Sequence, residues 1–191
     1  MRSSLLSLVL VAATAITGCA TPSIHPIYST DKEATEPGIV GVWKPADEND
    51  KTIYTVSREG AAYRMVVKDG DQDKSRVSDV HLVALGQFRF ADFAAPENAR
   101  SKVDDEWSAL FIPTHLFLRY QLNGDSLKIW ALDRDWLREA VKTKKVQLAC
   151  TSASDGDVII TAETPEIQAF LEANAADPNA FKPAELRRSK P

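Results

Sequence analysis

The sequence has few of the residues that usually build catalytic or metal centres. Its 191 residues include two cysteines and three histidines. Gly-x-Ser-x-Gly, His-Glu-x-x-His, Cys-x-x-Cys and phosphate-binding glycine loops are all absent from the sequence. Because folding can bring together catalytic residues that are far apart in sequence, these absences disfavour an enzyme without excluding one.

Metal ligands also lack a recognisable spacing. The histidines, which are distant from one another in sequence, are His25, His81 and His115. Carboxylates alternate over residues 69–73 as at the start of a calcium loop, but the required glycine and glutamate are replaced by Lys74 and Val80. We therefore expect no metal and no cofactor, and we interpret 69–73 as a polar hairpin turn.

The chain has no excess of positive charge. Its formal net charge is −4. Nucleic-acid binding depends on a concentrated basic surface, so a nucleic acid is excluded as the expected partner. Repeats and low-complexity tracts are absent too, and the length suits one hydrophobic core.

A single long apolar run, Leu5–Ile16, stands at the N-terminus behind Arg2. It is shorter than the roughly 20 residues that a membrane-spanning helix needs. A positive residue, an apolar run and small residues in this order indicate an export signal over residues 1–18.

Two processing routes leave Cys19 in different chemical states. Signal peptidase acting at the small residues Ala13 and Ala15 would leave a soluble secreted protein with a free Cys19 thiol. Alternatively, Ile16-Thr17-Gly18-Cys19 resembles the lipobox of bacterial lipoprotein precursors. That resemblance implies diacylglycerol on the Cys19 sulfur, cleavage after Gly18 and usually a third acyl chain, so that the mature protein is anchored in the lipid bilayer without spanning it.

The lipobox resemblance also bears on location and on the second cysteine. Lipoproteins with aspartate after the lipidated cysteine stay in the inner membrane, whereas this chain has Ala20, which in a Gram-negative cell implies the periplasmic face of the outer membrane. Lipidation of Cys19 leaves Cys150 unpaired. Cys150 ends an apolar stretch, so we expect a buried and inert thiol.

Alternating apolar residues dominate the chain from Gly38 onward and predict antiparallel strands. The Tyr63, Met65 and Val67 stripe shares one face, and Leu116, Leu118, Tyr120 and Leu122 repeat the pattern before the hairpin signal Asn123-Gly124. The further predicted strands are 39–43, 52–57, 77–85, 87–93, 127–131, 146–151 and 158–162.

Two helices are predicted among the strands. Asp133 can cap a helix over about 134–144, and Thr164-Pro165-Glu166 is a favourable start for a second one. The resulting organisation is a lipidated N-terminus and flexible tether at 19–37, a single β-rich domain at 38–182 and a mobile tail at 183–191. The predicted fold is mainly β, an antiparallel meander or barrel of about eight strands.

Gly41-Val42-Trp43 in the first strand, with many strands and a helix after the last of them, resembles a lipocalin. This resemblance implies a barrel whose floor is closed by Trp43 and whose open end holds a small apolar ligand. A tryptophan in a strand is equally typical of an ordinary core, so both interpretations of Trp43 stay open.

The function expected from these features is a non-catalytic envelope lipoprotein that binds a small apolar ligand or another envelope protein. Residues that could face the ligand are His115, Arg119 and Trp43, because His115 and Arg119 share the strand face opposite the Leu116 stripe. The alternatives are a hydrolytic enzyme that uses His115 or Cys150, and a structural or inhibitory envelope protein. The polar segments 44–51 and 94–106 are the predicted rim loops.

Overall fold

Eight antiparallel strands close into a barrel in the computed structural model, which describes residues 21–70, 75–96, 99, 112–152 and 157–189. Around the barrel the strand order is β1-β10-β7-β6-β5-β4-β3-β2. The barrel strands are β1 Gly41–Pro45, β2 Ile53–Glu59, β3 Ala62–Lys68, β4 Ser75–Leu85, β5 Phe88–Ala94, β6 His115–Asn123, β7 Ser126–Leu132 and β10 Phe181–Arg188. The mainly β fold with about eight barrel strands is confirmed.

The alternation in the sequence places the predicted apolar stripes inside the barrel. Tyr63 pairs with Val80 and Met65 with Ser78 across β3 and β4, and all four side chains line the interior. On β6, Leu116, Leu118 and Tyr120 do the same. Because successive strand side chains point to opposite faces, the intervening residues form the outer wall.

The two ends of the barrel differ in how they are covered. At one end, short turns join β2 to β3, β4 to β5 and β6 to β7, and a 3-10 helix, Pro37–Ile39, precedes β1. We call this the closed end. At the opposite end, the open end, longer connections follow β1, β3, β5 and β7.

Trp43 and Arg188 lie together toward the closed end. Trp43 is fully buried, and the Arg188 guanidinium lies 4.3 Å from the centroid of its ring. Arg188 also donates hydrogen bonds to the carbonyls of Val40, at 2.8 Å, and Gly38. Gly41 has φ +144°, a backbone conformation that favours glycine, and a Cβ there would also displace the Arg188 guanidinium, one nitrogen of which would lie 2.3 Å away.

Two helices and a small sheet pack against the outer wall. They are α1 Arg134–Lys142, α2 Thr164–Asn174 and the two-stranded sheet of β8 Cys150–Ser152 with β9 Val158–Ile160. Both helices match their predicted starts, and Asp133 caps α1 by accepting a hydrogen bond from the Trp136 N–H at 2.7 Å. The predicted strands 146–151 and 158–162 were too long, since only these short β8 and β9 segments pair.

The C-terminal tail prediction was wrong for residues 183–188. This stretch belongs to β10, which pairs with β7 along its whole length and with β1 at its end, and so closes the barrel. Leu186 points inward and is buried, whereas Arg187 is exposed. The positive charge of this segment suggested a solvated tail. In the structure half of its side chains face solvent because they lie on the outer side of a paired strand.

The flexible tether prediction was also wrong for residues 21–36. We call this segment the strap, because it crosses the outer wall from the open end to the closed end. Ser23 and Ile27 are fully buried, and Glu33 forms a β-bridge with Val83. Backbone pairing with distant strands satisfies the polar groups of a segment that looks unstructured in sequence. The signal segment, Cys19 and most of the 94–106 rim lie outside the described residues.

Candidate ligand cavity

The barrel encloses a cavity of about 230 Å³. Its walls are almost wholly apolar, with aromatic side chains toward both ends and small or branched side chains between them. Representative lining residues are Trp43, Val56, Met65, Ala91, Phe93 and Ile129. An apolar space of this kind excludes polar molecules, because a polar group placed inside it would lose its hydrogen bonds to water.

Two polar groups near the floor are already paired. The Trp43 indole N–H donates to the Ile39 carbonyl at 2.8 Å. The Tyr63 hydroxyl accepts a hydrogen bond from the Glu36 N–H at 2.9 Å, which ties the strap to the closed end. Since these two groups have partners, the Trp43 and Tyr63 rings present mainly aromatic surface to the cavity.

Tyrosine hydroxyls elsewhere in the wall stay neutral. Burial, together with the nearby carboxylates of Asp50 and Asp69, raises the pKa of Tyr54 to about 12. Burial and the charge of Glu36 raise the pKa of Tyr120 above its ordinary value. Neither phenol therefore supplies a charge for catalysis or binding at neutral pH.

The mouth carries a charged side chain. Arg76 and Ser78 lie near the start of β4, at the open end, and both line the cavity. Arg76 donates to the Asp69 carboxylate at 2.7 Å, with about half of its side chain exposed. Leu116, which also lines the cavity, is 36% exposed, so the cavity communicates with the surface here.

No family model, curated protein or solved structure matches this chain.

Of the predicted ligand-facing residues, the structure places only Trp43 in the cavity wall. His115 and Arg119 lie on the outer wall, because the opposite face of β6 is the one that lines the barrel. Arg119 is covered by α2: its guanidinium lies 3.9 Å from the Trp130 ring centroid, and it donates a hydrogen bond to the Ala175 carbonyl. Burial lowers the pKa of Arg119.

His115 does lie beside a carboxylate, as a hydrolytic mechanism would require. Its Nδ1 is 2.7 Å from Asp92 Oδ1, and Asp92 Oδ2 accepts the Ile27 N–H at 2.7 Å. The Asp92 side chain is fully buried and that of His115 is 12% exposed, so this pair is covered by the strap. Among the described contacts, no hydroxyl or thiol is hydrogen-bonded to the His115 ring. Through the Ile27 hydrogen bond, the pair holds the strap against the barrel wall.

Cys150 does not have the surroundings of a nucleophile. Its side chain packs against the apolar core between the outer wall and the two helices, which we call the outer-wall core. Burial raises the pKa of the thiol to about 11. A catalytic thiolate needs the opposite shift. Within the described part of the chain, no cluster of three or more His, Cys, Asp or Glu side chains could hold a metal ion.

The lining residues Arg76, Ser78, Ala91 and Phe93 were not singled out from the sequence. A signal was available on β4, where Arg76, Ser78, Val80 and Leu82 alternate from polar to apolar along one face. This gradient is typical of a strand that runs from a solvated mouth into an apolar interior.

None of the helices among the described residues is long and apolar enough to cross a membrane.

Proposed function

We propose that the protein is a cell-envelope lipoprotein, anchored by acyl chains on Cys19, whose barrel binds a small apolar molecule without catalysis. The observation that carries the binding role is the apolar cavity of about 230 Å³ inside a closed barrel. The lipobox Ile16-Thr17-Gly18-Cys19 supports the anchor, and Ala20 supports the outer membrane, facing the periplasm.

The cavity favours a small molecule over a protein partner. Apolar contact stabilises a bound ligand by about 25 cal/mol for each Å² removed from water. A dry apolar cavity of about 150 Å³ can hold benzene, and drug-sized ligands usually occupy at least ~300 Å³. The expected ligand is therefore a single ring or a short acyl chain, and a two-chain lipid is too large.

The binding role is tested on the mature chain with Cys19→Ser, which removes the lipidation site. Native mass spectrometry would detect a co-purified ligand, and calorimetric titration with toluene, a single-ring hydrocarbon, would measure binding of an apolar probe. We expect one probe per chain. Ala91→Leu and Ala91→Phe fill the cavity in two steps, so the affinity should fall in two steps.

Ala61→Phe is the matched control, because Ala61 is exposed in the turn between β2 and β3. It should leave probe affinity unchanged. Far-UV circular dichroism and thermal unfolding establish that each variant folds; the smaller Ala91→Leu change covers the case in which Ala91→Phe does not. Equal probe binding by all folded variants, or none by the parent protein, would contradict a ligand-binding cavity.

The anchor is tested separately. The full precursor expressed in a Gram-negative host should yield a mature protein that has lost residues 1–18 and gained the mass of its acyl chains. It should enter the detergent phase of Triton X-114, whereas the Cys19→Ser variant should stay in the aqueous phase. An unmodified Cys19 thiol, or equal partition of the two proteins, would refute the anchor.

A further inference from the structure

The strap is fixed to the domain from its first described residues. Ser23 exchanges two backbone hydrogen bonds with His115, at 2.9 and 2.8 Å. On its other side, the Ile160 N–H donates to the Pro22 carbonyl at 2.9 Å, and the Ile24 N–H donates to the Ile160 carbonyl at 3.0 Å. Thr21 and Ser23 are buried, so the backbone is held in place at this point.

This attachment lies at the open end of the barrel. His115 is the first residue of β6, and β6 begins at the open end, next to the lining residue Leu116. The strap then runs to the closed end, where Ala34 donates to the Leu82 carbonyl at 2.8 Å and Glu36 donates to Tyr63. The chain thus reaches the lipidation site from the same end as the cavity mouth.

The reach of the anchor is short. Cys19 precedes Thr21 by two residues, and two extended residues span at most about 7 Å. A strand of seven residues tilted as in a barrel rises roughly 15–20 Å. Acyl chains on Cys19 therefore hold the open end near the bilayer surface, while the closed end lies a further barrel height away.

Exposed apolar side chains are available at the open end to meet the lipid. Ile112, three residues before β6, is 69% exposed and is the most exposed large apolar residue described; Val77 on β4 and Leu116 are 39% and 36% exposed. Val40 and Val42, near the closed end, are 38% and 36% exposed. The most exposed of these side chains therefore stands beside the mouth, where interfacial burial would stabilise it.

We infer that the mature protein stands with the open end of its cavity against the bilayer, so that an apolar ligand passes between membrane and cavity without crossing bulk water. This orientation rests on the proposed function, namely the acylated Cys19 and the ligand-binding cavity. It adds that the docked strap, rather than a long tether, decides which end of the barrel meets the lipid.

The test uses the mature lipidated chain in phosphatidylcholine vesicles, with Cys150→Ser so that one engineered cysteine carries the fluorophore NBD. The mouth label is placed with Ile112→Cys and the matched label at the closed end with Ala61→Cys. Lipids with a nitroxide near the headgroup quench fluorophores that lie at the interface. We expect at least threefold stronger quenching of the label at 112 than of the label at 61.

A linker variant connects this result to the strap. Insertion of twelve Gly and Ser residues between Ala20 and Thr21 lets the domain move away, so the difference between the two labels should fall to less than 1.5-fold. Equal quenching at both positions without the linker, stronger quenching at 61, or an undiminished difference with the linker would each overturn the inferred orientation.

Failure of the orientation can be distinguished from failure of the proposed function. Vesicle flotation reports whether the anchor holds, and probe titration of the Cys19→Ser chain reports whether the cavity binds. A protein that floats and binds the probe but shows equal quenching has the proposed function and another orientation. A protein that does not float lacks the anchor on which the orientation depends.

Discussion

Asp92 is the residue on which docking of the strap depends most. Its fully buried carboxylate accepts the Ile27 N–H at 2.7 Å through one oxygen and contacts His115 Nδ1 at 2.7 Å through the other. Asp92→Ala removes both contacts and leaves two buried polar groups without a partner. Hydrogen bonds to a charged group are worth roughly 1.5–3 kcal/mol each, so we expect a loss of about 3–6 kcal/mol in the free energy of unfolding.

Asp92→Asn separates the charge from the hydrogen bonds. The amide has nearly the same shape, and it can keep a hydrogen bond from the Ile27 N–H and one with the His115 ring, so about 1 kcal/mol of stability should be lost. Asp79→Ala is the matched control on β4, because Asp79 pairs with Arg64 at 3.4 Å at the surface. A surface ion pair of this kind contributes less than about 1 kcal/mol.

Urea unfolding of the Cys19→Ser chain measures these losses, and amide hydrogen exchange shows where they act. In Asp92→Ala the amides of Ile24, Ile27 and Ala34 should exchange faster, while amides in the β7–β10 ladder keep their protection relative to global unfolding. The reasoning is refuted if Asp92→Ala is as stable as Asp79→Ala and the strap amides stay protected.

Three further predictions concern single side chains. Arg188→Ala should lower the free energy of unfolding by about 2–3 kcal/mol in urea titrations, because two carbonyl partners and the Trp43 ring contact are lost. Arg188→Lys should recover less than half of this loss; full recovery would show that charge alone matters. Arg119→Ala should speed exchange of the amides in the last turn of α2, whereas unchanged protection there would refute its role in holding that helix end. At pH 8 the Cys150 thiol, with its pKa of about 11, should react with a disulfide reagent at least ~100-fold slower than a free cysteine. Its reaction rate should rise about tenfold for each added pH unit, and a fast, pH-independent reaction would contradict the raised pKa.

Seven of the eight barrel strands, β1 to β7, could be predicted from sequence because each has its own local signal. Tyr63, Met65 and Val67 alternate with polar residues, and Asn123-Gly124 marks the turn between β6 and β7. The starts of both helices were equally local, since Asp133 and Thr164-Pro165 cap a helix wherever it packs.

The identity of the inner face could not be predicted in the same way. Alternation shows that β6 has two faces, but both are largely buried: Leu118 faces the cavity and Phe117 faces the outer-wall core. Which face lines the barrel depends on how the sheet curls and on what covers it outside. His115 and Arg119 were therefore assigned to the wrong side of the wall.

The sequence by itself determined the mainly β fold and its helix starts, because these depend on neighbouring residues. Only the tertiary structure decided that the strap and β10 are ordered parts of the barrel. Their backbone groups bond to strands distant in sequence, such as Ser23 to His115 and Leu186 to Leu127, and no local pattern encodes such a partner. The position of the strap at the cavity mouth follows from those long-range bonds.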